Sequence, residues 1–188
     1  EVTDLYVDVN KTSDTGSPNK VLDFYNTTGN AGDDTATSWV INNGTEDVTL
    51  DMDGDEGVLL SIETQVVLDV FGFVTLDGSF AFKKATGDFV LTDGGTSTAL
   101  ASADYMEVGA RINSGFAGVG GIGFELTTVD FGLLMVTDDP LNTPLDNSDD
   151  INYMALKVDV ASAALVGISG LTAEVTDLYV DVNKTSDT

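Results

Sequence analysis

The chain contains no cysteine and no histidine. Without cysteine there can be no disulfide, thiolate metal site, iron–sulfur cluster or cysteine nucleophile. Without histidine the commonest neutral-pH base and the commonest transition-metal ligand are gone. A Ser-His-Asp triad and a zinc site of the usual kind go with it. Cations are scarce: 7 Lys and Arg stand against 32 Asp and Glu, for a formal charge of -25. A polyanion of this size repels nucleic-acid phosphates, so no nucleic-acid partner is expected. No stretch reaches the length of uncharged apolar residues that a membrane-spanning helix needs, and no membrane span is predicted. Proline is rare too, 3 in 188 residues, so corners fall to the 20 glycines. What survives is carboxylate chemistry, meaning hard cations, chiefly calcium, or glycosidase-type acid pairs. An enzyme is not expected.

What is present is a core-forming composition, with 42% apolar residues in a chain long enough for one domain or one long repeat. Residues 1–15 read EVTDLYVDVNKTSDT, and residues 174–188 read the same, identical at all 15 positions and 173 residues apart. Chance does not produce that. The sequence predicts a window of a tandem array, with residues 1–173 one complete repeat and 174–188 the start of the next. The first residue, Glu1, is not Met, which agrees with an excised or processed piece. The duplicated stretch holds four acids and one lysine, so each 173-residue unit carries a net charge of -22. A chain of such units is extended, soluble and self-repelling at low salt.

A fainter repeat lies inside the unit. Tyr105-Met106 and Tyr153-Met154 each open a stretch of 35 residues, 48 apart, that closes on an apolar strand and an acidic loop. Gly120 comes within one position of Gly167 in this alignment. Such a period suits stacked supersecondary units.

Alternation dominates the rest. From Ile62 to Phe82 the even positions are apolar or glycine, apart from Thr64, and the odd ones include Glu63, Gln65, Asp69, Asp77 and Lys83. The run is too long for one ordinary strand, so the expectation is either a long hairpin pair turning near Leu76-Asp77-Gly78 or a chain wrapping a core through gentle corners. Further strands are expected over 4–9, 38–42, 47–52, 88–92, 105–112, 122–136, 152–160 and 171–182. Short helices are open to 97–103 and 160–166. The glycines at 118, 120, 121 and 123 read as tight turns rather than a phosphate loop, because FELTTV continues as strand. Trp39 is expected on a core face, and Phe71, Phe73, Phe80 and Phe82 in the core or stacked on the sheet. Asn10, Asn26, Asn43 and Asn183 each open an N-x-T sequon.

Function, if it is chemical, lies in the carboxylates. Asp51, Asp53, Asp55 and Glu56, with Gly54 between, let one turn aim several oxygens at a point, as calcium requires. Position twelve counted from Asp51 is Ile62, so the full EF-hand loop is absent. A solvated acidic turn is the other reading. The stretch TDDPLNTPLDNSDD gathers Asp138, Asp139, Asp146, Asp149 and Asp150 with no base between them; either a cation bridges them or they form a solvated insertion. Asn30, Asp33 and Asp34 form a weaker third group.

The strings VVLDVFGFVTLDGSFAFKK, FAGVGGIGFEL and YMALKVDVASAALVGISGLTAEVTDLYVDVN resemble repeats of giant acidic bacterial exoproteins. The resemblance implies a secreted or cell-surface, fibrous or adhesin-like role, with calcium in some relatives, and transfers no functional residue. The expectation is an all-β fold, a β-solenoid-like stack of strands or tandem β-sandwich modules. It is a structural repeat whose partners are neighbouring copies of itself, with any receptor or glycan unspecified. A carbohydrate-binding or carbohydrate-active β-domain is the alternative. A transmembrane β-barrel would alternate similarly, but open-ended tandem copies do not suit a closed barrel. The acidity itself records either calcium or a saline habitat.

Overall fold

A computed structural model describes residues 1–13, 20–25, 37–42, 44–140 and 148–186. Its elements are β1 (Val2–Asn10), β2 (Trp39–Asn42), β3 (Asp47–Leu50), a 3-10 turn (Gly54–Glu56), β4 (Leu59–Val70), β5 (Val74–Thr92), β6 (Ser97–Val119), β7 (Ile122–Asp138), β8 (Ile151–Val166) and β9 (Ala173–Thr185). The all-β expectation holds: there is no α-helix among the described residues. Among the described residues no helix is long and apolar enough to cross a membrane.

Seven strands form one antiparallel sheet, open at both edges, in the order β1-β4-β5-β6-β7-β8-β9. Strands β2 and β3 form a separate two-stranded ribbon. The chain divides into two compact units. The first comprises Glu1–Val7, Ser61–Lys83 and Tyr105–Thr188; the second comprises Asp8–Leu60 and Lys84–Asp104.

In the first unit the register sorts side chains into alternating rows. Val129, Val160 and Leu178 lie in one row; Phe131, Val158 and Val180 in the next such row; Leu133, Leu156 and Val182 in a third. Between them run Asp130, Asp159 and Tyr179, then Gly132, Lys157 and Asp181, then Leu134, Ala155 and Asn183. Period-two alternation has therefore become one apolar face and one polar, small-residue face. Val129 and Val136 are the buried apolar residues of this unit. The ladders are interrupted at one level, where Thr128 of β7, Ala161 of β8 and Asp177 of β9 are skipped. Thr128 and Asp177 have φ of 44° and 53° there. Asp4 of β1, the sequence counterpart of Asp177, has φ 51°.

In the second unit Leu59, Ala85 and Ala103 are buried apolar residues, and Asn10 is a buried polar residue of the same unit. Asn10 Nδ2 donates to the Leu22 carbonyl at 2.7 Å, which satisfies the amide in its buried place.

Several local expectations need correction. The bend in the long alternating run lies at Phe71-Gly72, not near Leu76-Asp77-Gly78. There the Asp69 carboxylate accepts from Gly72 N at 2.7 Å, and Phe73 N donates to the Val70 carbonyl at 2.9 Å. Phe71 and Phe73 sit at this bend 93% and 50% exposed, so neither is core. Trp39 is 63% exposed on the two-stranded ribbon rather than on a core face. Residues 97–103 and 160–166 are strand, because long neighbours on the sheet override the helix preference of their alanines. The glycine cluster is a turn as expected: β6 and β7 meet at Gly120-Gly121, with φ of 60° and 81°. Of the two Tyr-Met pairs of the faint internal repeat, Tyr105 lies inside β6, and Tyr153 opens the pairing of β8 with β9 opposite Thr185.

Candidate metal centre and polar trough

The acidic loops meet different fates. In the segment 51–56 one carboxylate, that of Asp53, is drawn into the turn's own structure. Asp53 caps the 3-10 turn, its Oδ1 accepting from Asp55 N at 2.9 Å, and its carbonyl accepts from Glu56 N at 3.3 Å. A residue that sequence inspection passed over, Asp23, supplies the acceptor for Gly54 N at 2.9 Å. Thr86 Oγ1 donates to the Glu56 carbonyl at 3.3 Å, and Phe24 N to the Met52 carbonyl at 3.0 Å. Asp51, Asp53, Asp55 and Glu56 contribute to no three-carboxylate group among the described residues.

The second loop gathers its acids. Asp139, Asp149 and Asp150, all half-buried, each offer one oxygen within 4.8 Å of the others. The reason is register. Asp138 ends β7 opposite Ile151, the first residue of β8, and the next step outward places Asp139 against Asp150. The long β7–β8 ladder thus forms the neck of the loop and holds like charges together against their repulsion. Oδ2 of Asp149 is buried in this group. Asp138 itself stays in the strand, and Asp146 lies outside the described residues, as do Asn30, Asp33 and Asp34. Three carboxylates fit a hard cation that takes six to eight oxygens, with water and carbonyls completing the shell.

The first unit holds a trough of about 810 Å³, lined by charged residues (Glu63, Lys83, Glu107, Lys157 and Asp181) and by apolar ones (Phe82, Val108, Leu133, Leu134, Leu156 and Val182). A smaller hollow of about 380 Å³ lies beside Tyr6, Glu63, Ser79 and Arg111. Small residues, Ala81, Gly109, Gly132 and Ala155, keep the trough open. Within its lining Lys157 Nζ lies 3.7 Å from Asp181; the same Nζ lies 3.9 Å from Asp159, and beside the smaller hollow Arg111 Nη1 lies 3.2 Å from Asp130. Asp130 and Asp159 are direct register partners, so two like charges face each other with one cation on either flank. Lys157-x-Asp159, charges two apart on a strand, was the available sequence signal. Exposed pairs of this kind orient side chains and contribute little stability. The lining holds no histidine or thiol, and Phe82 is its one aromatic.

Of the sequons, Asn10 is buried and Asn183 exposed, while Asn26 and Asn43 lie outside the described residues. Among the described residues a perturbed carboxyl is that of Asp93, in the β5–β6 turn. Its Oδ1 accepts from Thr96 N at 2.7 Å and Gly95 N at 2.8 Å. These backbone donors, Thr96 first and Gly95 second, hold its acidity below the ordinary carboxylate value. No protein-family model, curated protein or solved structure matches the chain.

Proposed function

We propose that this chain is a structural repeat of a long extracellular or surface-exposed fibre, adhesin-like in use, whose work is to extend and present rather than to catalyse. The observation that carries this reading is the exact recurrence of fifteen residues at a spacing of 173. The two copies support it further by folding alike, as strands with Asp4 and Asp177 at φ of 51° and 53°. A net charge of -22 per unit keeps successive repeats apart and soluble. Lack of histidine and cysteine favours a non-catalytic role. Calcium belongs to the same reading, held by Asp139, Asp149 and Asp150, where it would offset the crowding of charge.

The test is imaging. Chains of two, four and eight repeats, viewed by negative-stain electron microscopy, are expected to lengthen in proportion to repeat number. Particles whose longest dimension does not grow with repeat number defeat the fibre reading.

A further inference from the structure

The recurring segment occupies both outer positions of a single sheet. β1 pairs with β4 at one edge, and β9 pairs with β8 at the other. The sheet is antiparallel throughout, and six steps separate the two strands, so they run in the same direction. They also face the same way. Tyr6 lines the small hollow with Glu63 and Arg111, while Asp181 and Asn183 line the trough with Glu63 and Gly109. Asp181 and Asn183 are the counterparts of Asp8 and Asn10, which alternate with Tyr6. Two strands of one sequence, one direction and one facing that pair on opposite sides present opposite edges to their partners.

We propose that in the longer chain one copy of this segment holds both places at once. One edge pairs with β8 of the preceding repeat, and the other pairs with β4 of the repeat it opens. The sheet then runs without an edge from each 173-residue repeat into the next. This rests on the tandem reading above and adds how the repeats are joined.

Three observations support it. Every pairing in the structure is kept: repeating it along the chain breaks neither the β1–β4 nor the β8–β9 ladder. The outer strands also carry exposed apolar side chains. β1 is exposed at Val2 (60%), Leu5 (59%) and Val7 (53%), and its nine residues include no lysine and no proline, its only charges being Asp4 and Asp8; β9 bears Lys184 near its end. An edge strand with such an apolar surface has backbone groups open to pairing. Last, the same asparagine has two environments. Asn10 is 5% exposed and bonded to the Leu22 carbonyl, twelve residues on; Asn183 is exposed. A following copy supplies to Asn183 the carbonyl that Leu22 supplies to Asn10.

One competing arrangement is specific. Glu63 of β4 and Asp181 of β9 line one trough, so β9 could instead displace β1 from β4 of its own repeat and close six strands into a barrel. That requires breaking the β1–β4 ladder, including the pair of bonds by which Glu1 N donates to the Val67 carbonyl at 2.6 Å and Val67 N donates to the Glu1 carbonyl at 2.9 Å.

The absence of native cysteine makes disulfide trapping a clean test. In a chain of residues 1–173 followed by residues 1–188, four substitutions are made: Ser162→Cys in the first copy, Glu174→Cys and Thr176→Cys in the middle strand, and Val67→Cys in the second copy. Ser162 and Thr176 are register partners, and Glu174 is the counterpart of Glu1, the partner of Val67. Mild oxidation is expected to give both disulfides in the same molecule. The pairs Ser162→Cys/Thr176→Cys and Glu1→Cys/Val67→Cys, each in the 188-residue chain, check that the variants fold and hold register. If those controls link but the two-repeat chain forms only the 162–176 bond, the continuous sheet is wrong, and imaging decides the fibre reading separately. A middle strand that links to a cysteine placed at Val67 of the first copy, in a companion variant, establishes closure and overturns the proposal.

Discussion

At the scale of single residues, Asp93 shows how a carboxylate in a very acidic chain is given a structural task. Its Oδ1 takes two backbone N–H groups of the β5–β6 turn, while Thr92 Oγ1 takes Gly94 N at 3.1 Å. The native carboxyl binds its proton less readily than the unfolded one. Its contribution is therefore complete above the ordinary carboxylate value and is lost as pH falls through the lowered native value. An NMR titration is expected to move the Thr96 amide with a midpoint below that of an ordinary aspartate, and Asp93→Asn is expected to abolish that acid step. A midpoint at the ordinary aspartate value would dispose of the capping argument. Asp53 makes the same point about site recognition. From sequence it reads as one of several oxygens aimed at a cation, yet its oxygen accepts from Asp55 N within its own turn. Local hydrogen bonding competes with ligation for short acidic side chains, and spacing alone does not reveal which prevails.

At the scale of elements, the β6–β7 hairpin carries a tight backbone constraint. Gly118 and Gly123 lie against each other across the ladder, so a Cβ on Gly118 would meet the Ile122 carbonyl and Gly123 Cα, and a Cβ on Gly123 the Ala117 carbonyl. Alanine at either position forces the strands apart and is expected to cost about 1–3 kcal/mol by urea unfolding, the range for overpacking at a closed contact. Alanine at Gly132, where a Cβ meets nothing within 4 Å, is the comparison that should cost far less. Equal losses at the two sites would refute the close-approach explanation. The hairpin also measures what the sequence made legible. Period-two alternation identified the strands around it and the glycines identified its turn, because both signals are local. The bend at Phe71 was missed because its signal, an aspartate accepting from a glycine three residues on, is common in a chain with 32 acids and 20 glycines. Trp39 was misplaced because an aromatic beside β-branched residues looks the same on a sheet core and on a two-stranded ribbon. Asp139, Asp149 and Asp150 were legible as acidic residues of one loop; that they converge, and Asp51 to Glu56 do not, depends on a ladder between distant residues.

At the scale of the whole molecule, the question is what offsets the chain's 25 excess negative charges. Monovalent salt screens exposed charges at any position and acts on the whole surface alike. A divalent ion acts where carboxylates already converge, and among the described residues that is at Asp139, Asp149 and Asp150. Binding there stabilises the native loop by mass action. For a site of ~10⁻³ M affinity, typical of extracellular modules, 10 mM calcium adds about 1.4 kcal/mol. That corresponds to a rise in Tm of roughly 3–5 °C for a chain of this size. Calcium is expected to produce this rise beyond what sodium gives at equal ionic strength. Asp149→Asn with Asp150→Asn should remove it, and Asp53→Asn with Asp55→Asn should leave it in place, because those residues share no three-carboxylate group. If sodium matches calcium, the converging acids are a solvated loop and the acidity belongs to solubility or a saline habitat. If the Asp53 and Asp55 changes remove the increment instead, the ion sits in the first loop and register does not select the site.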